Sequence, residues 1–91
     1  MQVQWTEAAA VDLQQIADYL VTHSPEQAPR LTGMLCEAAD SLLQFPHRGR
    51  NGKRPGTREL VLTPLPWILV YAVRDESVYV VRILHGAQRW P

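Results

Sequence analysis

The chain has 91 residues, 46% of them hydrophobic, and a formal net charge of zero. That length suits one domain, residues 1–91, with a core of modest size, and argues against a second domain. The single Cys36 excludes an internal disulfide, and no apolar run approaches the roughly 18–20 residues of a membrane span.

The neutral total hides a division. Residues 1–45 carry Glu7, Asp12, Asp18, Glu26, Glu37 and Asp40 against Arg30 alone. Residues 46–91 carry Arg48, Arg50, Lys53, Arg54, Arg58, Arg74, Arg82 and Arg89 against Glu59, Asp75 and Glu76. A dipolar molecule of this kind is expected to turn its basic side to something anionic, either nucleic acid or an acidic protein segment. Cys36 falls within a helical apolar pattern and is expected to pack rather than react. Met1-Gln2-Val3-Gln4 lacks the charged and apolar regions of a signal peptide, so a cytoplasmic location is expected.

In chain order, Gln2-Val3-Gln4-Trp5 alternates as a short strand with Val3 and Trp5 on one face. Thr6 is the expected N-cap of a helix reaching about His23, with Glu7 and Asp12 towards its N-terminal end. Ala9, Leu13, Ile16, Ala17 and Leu20 form its apolar stripe. Ser24-Pro25-Glu26-Gln27 reads as a capping box that opens a second helix, with Pro29 moving its start or bend towards Ala28. That helix carries the stripe Leu31, Leu35, Ala38, Leu42 and Phe45, and Pro46 ends it. A glycine-rich basic loop is expected from about His47 to Thr57. Three strands follow: Arg58–Thr63, Trp67–Arg74 and Val78–His85, the last two joined by a tight turn at Asp75-Glu76-Ser77.

The order β-α-α-β-β-β implies an α+β fold, a helical hairpin packed on one face of a small curved, mainly antiparallel sheet whose other face stays open. Strict alternation sets Tyr79, Val81 and Ile83 on one side of the last strand and Val78, Val80, Arg82 and Leu84 on the other, directing Arg82 to the open face.

Gly49, Gly52 and Gly56 lack the spacing of a phosphate loop, and His23, His47, His85 and Cys36 lack the spacing of a metal site. Neither Ser24 nor Ser41 has a histidine placed as its base. No metal and no cofactor is therefore expected. The chemistry left is cationic. Arg58, Arg82 and His85 can be read as a set that cleaves RNA, guanidinium groups stabilising a phosphorane and imidazole moving a proton. They can equally be structural: Arg58 paired with Glu59 or Asp40, the Arg82 stem lying along the sheet, and His85 capping a strand end. Spacing favours the structural roles. The cluster Arg48, Arg50, Lys53, Arg54 reads equally as a binding surface or a solvated loop. Trp5 and Trp90 are expected to pack at the sheet margin.

Several stretches carry a resemblance: Trp5-Thr6-Glu7-Ala8-Ala9, the run Asp12–Leu20, Phe45-Pro46 before a Gly-Arg loop, Gly56-Thr57-Arg58-Glu59-Leu60, Val70-Tyr71 and Arg82-Ile83-Leu84-His85. Together they cover essentially the whole chain, which resembles the RelE/ParE superfamily of toxins from bacterial type II toxin–antitoxin modules. RelE-type members cut messenger RNA on the ribosome with lysines and arginines on the C-terminal strands. Here Glu59, Val61 and Ile68 stand at those positions, and no Tyr follows the last strand. Arg82-Ile83-Leu84-His85 is more similar to ParE-type members, which inhibit DNA gyrase. The resemblance thus implies a gyrase-binding toxin and no catalytic residue, with the ribosome-dependent ribonuclease and its set Arg58, Arg82 and His85 as the alternative. It implies a target surface of Arg48, Arg50, Lys53, Arg54, Arg58, Arg82, His85, Arg89 and Trp90. It also implies a cognate antitoxin, forming a hetero-oligomer through contacts expected at Leu13, Leu20, Tyr71 and Arg82.

Overall fold

The computed structural model describes residues 1–86 and 88–91. Its elements are β1 (Gln2–Trp5), α1 (Glu7–His23), α2 (Ala28–Ser41), β2 (Arg50–Asn51), β3 (Arg58–Val61), β4 (Trp67–Arg74) and β5 (Ser77–His85). They form one five-stranded sheet in the order β1-β5-β4-β3-β2. All neighbours are antiparallel except β1 and β5, which run parallel with Val3 opposite Val78 and Trp5 opposite Val80. A mixed sheet is the direct result of order. The α1–α2 hairpin and the β2–β3 ribbon separate β1 from the strand it joins, so β1 adds to β5 as an edge.

The helix α1 starts where expected, with the Thr6 hydroxyl accepting from Ala9 N at 3.1 Å. Its stripe is the core seam: Ala9 and Leu20 are buried, with Leu13 and Ile16 packed against the same cluster. The second helix starts at Ala28, as Pro29 implied, but departs from expectation in its cap and its end. Ser24 ends α1 through a bond from its N–H to Leu20 O, and α2 begins at Ala28 after Gln27, which makes no side-chain cap. Pro25 and Pro29 leave few free N–H groups at this start, which reduces what a capping box has to satisfy. The helix also stops at Ser41 rather than Pro46, passing into turns, so Leu42 is buried while Phe45 is 62% exposed. The stripe holds through Leu42, the C-cap, whose backbone keeps helical angles, and fails beyond it at Phe45.

The basic loop is not wholly loop. Arg50 and Asn51 pair with Glu59 and Arg58 as a fifth strand, and β3 ends at Val61, two residues early. At the other end of the sheet, β4 turns into β5 through Asp75 and Glu76, at φ 51° and 58°. Two successive positive φ values are those of the type I′ turn that matches strand twist.

One irregularity in β5 overturns the alternation expected there. Tyr71 pairs with Val80 but Val70 pairs with Arg82, so Val81 is an extra residue, a β-bulge. The bulge reverses parity: Val78, Val80 and Ile83 all belong to the helix-facing core. On β4 the core takes Leu69 and Tyr71, so Val70 and Ala72 face away from the helices. They and Leu84 are nonetheless buried. Glu59 and Arg82 flank Val70 in its cross-strand row.

Candidate functional site

β1 ends at Trp5, while β5 continues to His85, so the second half of β5 has no strand on its outer side. The start of α1 takes that place. Thr6 N donates to Val80 O at 3.0 Å, and the Thr6 hydroxyl donates to the bulge carbonyl, Val81 O, at 2.8 Å. Nearly two turns on, Asp12 Oδ2 accepts from Ile83 N at 2.9 Å. Its two oxygens also clasp Arg82, Nε at 2.6 Å and Nη2 at 3.0 Å. A side-chain carboxylate thus replaces a strand carbonyl, and a guanidinium balances its charge. The bonds to Asp12 raise the Arg82 pKa above the ordinary arginine value, outweighing the opposite effect of burial. Arg82 therefore does not stand free on an open face as alternation implied. Its side chain is committed to α1.

Beside this clasp lies a groove of about 540 Å³ whose lining includes Tyr19, Trp67, Arg82 and His85. Two members of the expected cleavage set, Arg82 and His85, do meet there. The third does not. Arg58 sits on β3 opposite Tyr71, with two strand spacings, about 10 Å, between β3 and β5. Its Nη1 donates to Gly49 O at 2.8 Å and His47 O at 3.2 Å, holding the strand-entry loop. The pairing expected with Glu59 or Asp40 is absent, because Glu59 belongs to Arg50: Nε and Nη2 donate to Glu59 Oε1 at 3.0 and 2.9 Å. The cross-strand register that sets Arg50 opposite Glu59 made this partner, and β2 was the element the sequence pattern concealed.

The other expected target residues divide by what they already hold. Arg48 donates to Ser41 Oγ at 2.8 Å. Lys53 and Arg89 are exposed, and their side chains make no ion pair among the described residues. Arg54 is also exposed, with its Cζ over the Trp90 ring, 5.6 Å from the centroid, so Trp90 lies against the β2–β3 hairpin loop.

Of the residues expected to contact an antitoxin, Leu20 and Tyr71 are core residues, 6% and 0% exposed. The Tyr71 hydroxyl is fully used, donating to Pro46 O and accepting from Gly49 N, both at 2.8 Å. Leu13 is packed partly buried against the core, and Arg82 retains some exposure, 27% of its side chain. Sequence reasoning missed Asp12 as a site residue, assigning it to the helix dipole. The available signal was its position on the apolar stripe, three residues after Ala9 and four before Ile16, where a carboxylate requires a partner. No group of three or more His, Cys, Asp or Glu residues able to hold a metal occurs among the described residues.

Comparison with known proteins agrees with this architecture. Residues 3–90 match the family model of the ParE toxin of the type II toxin–antitoxin system parDE. Toxin RelE2 of Caulobacter vibrioides is 45% identical over 87 residues, covering 96% of this chain and 97% of the relative. A solved structure of the chromosomal ParDE system from P. aeruginosa superposes with a TM-score of 0.83 at 30% identity, covering 93% of this chain and 95% of that one. The intact E. coli RelBE toxin–antitoxin complex shares the fold, with a TM-score of 0.68 at 19% identity and 96% of each chain covered. Two helices on a mixed five-stranded sheet, a match over nearly every residue and close toxin relatives agree: the chain belongs to the ParE toxin family of type II toxin–antitoxin systems.

Proposed function

We propose that this toxin arrests growth by binding DNA gyrase in the cytoplasm, without cutting RNA, and that a cognate antitoxin neutralises it. The observation that carries this reading is the dispersal of its cations. Arg58 is held by the carbonyls of His47 and Gly49, Arg82 by Asp12 and Arg50 by Glu59. A phosphorane needs several positive groups converging on one point. Arg58 lies in the helix-facing row of Tyr71, whereas Arg82 shares the opposite face with Glu59, a carboxylate, and with the aliphatic cross-strand pair Val61 and Ile68. The match to the ParE family adds support. Purified gyrase should lose supercoiling activity as toxin is added, and full supercoiling at high toxin excess would overturn the reading.

The ribosome-dependent endoribonuclease is the second reading, favoured by the shared groove of Arg82 and His85 and by the 45% identical relative named RelE2. Toe-printing of messenger RNA on ribosomes separates the two. Cleavage that disappears in Arg82→Lys and His85→Ala variants of intact fold would establish it.

The antitoxin reading follows the structural neighbours, which are toxin–antitoxin systems. The basic second half of this chain suits an acidic segment that folds on binding. Exposed Val11, Tyr19 and Val21 on α1 offer the apolar contacts that buried Leu20 and Tyr71 do not. An acidic, helix-forming antitoxin peptide should raise the Tm of the toxin, and an unchanged Tm at saturating peptide would count against it.

A further inference from the structure

We propose that the β2–β3 hairpin loop and the C-terminal residues together form a binding site for the phosphodiester backbone of nucleic acid. Lys53 and Arg54 lie in that loop; Arg89 and Trp90 follow some 35 residues later. The chain brings them together by turning back at the end of β5, with Gly86 N bonded to Pro66 O and Gln88 N to His85 O, each at 2.8 Å. Trp90 then reaches the Arg54 guanidinium.

Three properties set this corner apart. Its cations are not already occupied by carboxylates: Arg50 and Arg82 have their acid partners and Arg58 its carbonyls, whereas Lys53, Arg54 and Arg89 are exposed and pair with no acid among the described residues. There is no acidic residue from Asn51 to Arg58 or from Ser77 to Pro91, and neighbouring Glu59 is taken by Arg50. Trp90 lies within cation–π range of the Arg54 guanidinium, whose N–H donors bond no acceptor among the described residues and suit phosphate oxygens.

A protein partner fits this corner less well. Protein interfaces draw affinity from buried apolar anchors at their centre, and residues 53–56 and 88–91 expose Lys53, Arg54, Pro55, Gly56, Gln88 and Arg89 around one half-buried tryptophan. Phosphate binding needs only the charge and the donors. The inference rests on the reading that this side of the toxin faces its target, and adds that nucleic acid held by the target is itself contacted.

The test is fluorescence anisotropy of the full-length toxin with labelled duplex DNA, an RNA hairpin of equal length, and a polyglutamate peptide, each at about 50–200 mM salt, a range over which phosphate contacts weaken strongly. Three neutralised phosphates give a slope of log K against log salt near about −2.7 on duplex DNA. The combined Lys53→Ala, Arg54→Ala and Arg89→Ala variant should bind at least roughly tenfold more weakly at the low-salt end and flatten the slope. Arg74→Ala, an exposed cation outside the corner, should change neither. Binding of DNA or RNA that depends on the three cations supports the site, and the preferred polymer identifies which backbone it meets. Polyglutamate bound as tightly as nucleic acid, or a triple variant that binds like the parent, overturns it. The assay contains no gyrase. Intact DNA binding without gyrase inhibition would count against the gyrase reading alone, and inhibition without DNA binding against this site alone.

Discussion

Asp12 and Ile83, 71 residues apart, are joined by a 2.9 Å bond from the strand N–H to the helix carboxylate, and the same oxygen accepts from Arg82 Nε. This arrangement closes the sheet edge left where β1 stops. Removing the carboxylate leaves an unsatisfied strand N–H and an uncompensated guanidinium, whereas removing the guanidinium leaves Asp12 still bonded to Ile83. Asp12→Ala should therefore cost about 2–4 kcal/mol and lower Tm by roughly 10–20 °C, clearly more than Arg82→Ala. Urea denaturation of both variants checks the order, and an equal or reversed ranking would show that the strand bond contributes little. Because folding raises the Arg82 pKa, its contribution is fully present below the unfolded value and is lost only as pH rises through the folded one, so it stays constant across neutral pH.

The Glu59–Arg50 pair joins a buried carboxylate to an exposed guanidinium, with side chains 8% and 60% exposed. Solvent screens the arginine, so Arg50→Ala should cost only about 1 kcal/mol. Glu59→Leu should be tolerated at least as well, since it removes the buried charge together with the need for a partner. Thermal melts of the two variants measure this. A large loss for Glu59→Leu alone would mean that the carboxylate has an importance beyond its arginine.

Much of this fold was legible because its core follows period. Ala9, Leu13, Ile16 and Leu20 at helical spacing gave α1, and the apolar run Trp67–Val73 gave the central strand. What stayed hidden depends on contacts between distant segments. β2 is two residues long and exists only by pairing with β3. The bulge at Val81 shifts every later side chain by one, so Val78 and Val80 share the core face with Ile83, whereas strict alternation sets those two valines on the open face with Arg82. For the site, residue type picked out Arg82 and His85, which do share a groove. It could not separate committed cations from uncommitted ones, because Asp12, Glu59 and the His47 and Gly49 carbonyls reach their arginines only through tertiary structure.

Gly49 illustrates a position that composition alone reads as mere loop. An added Cβ would lie 2.8 Å from Tyr71 Cε1 and from its hydroxyl, and 2.9 Å from Glu59 O. Strand and ring have little room to yield, since Tyr71 is fully buried. Gly49→Ala should destabilise by about 1–3 kcal/mol through overpacking, and should also weaken the Gly49 N–Tyr71 Oη bond. Tyr71→Phe removes that bond without the clash and should cost about 1–2 kcal/mol. Chemical denaturation distinguishes the two effects. A Gly49→Ala variant as stable as the parent would rule out the close packing of ring and loop.

Phe45 tests where α2 ends. As part of a helical stripe it would be a core residue whose truncation costs several kcal/mol, but its 62% exposure places it beyond the helix. Phe45→Ser should change stability by no more than about 0.5 kcal/mol. A drop in Tm comparable to that of Leu42→Ala, where the side chain is fully buried, would restore the stripe.

The β4–β5 turn supplies the case in which sequence and geometry disagree. Asp75 and Glu76 both hold positive φ, a conformation that favours Asn and Gly and costs a side chain such as glutamate roughly 1 kcal/mol. Both side chains are exposed and neither makes an ion pair among the described residues, so replacing them removes little else. Asp75→Asn with Glu76→Gly should therefore raise stability by about 1 kcal/mol and Tm by several degrees, while Glu76→Pro, with φ fixed near −65°, should disrupt the hairpin. Gain from Asn-Gly together with loss from proline is the signature of a type I′ turn. A neutral result for both would mean that the strand pairing of Arg74 with Ser77 holds the turn whatever residues occupy it.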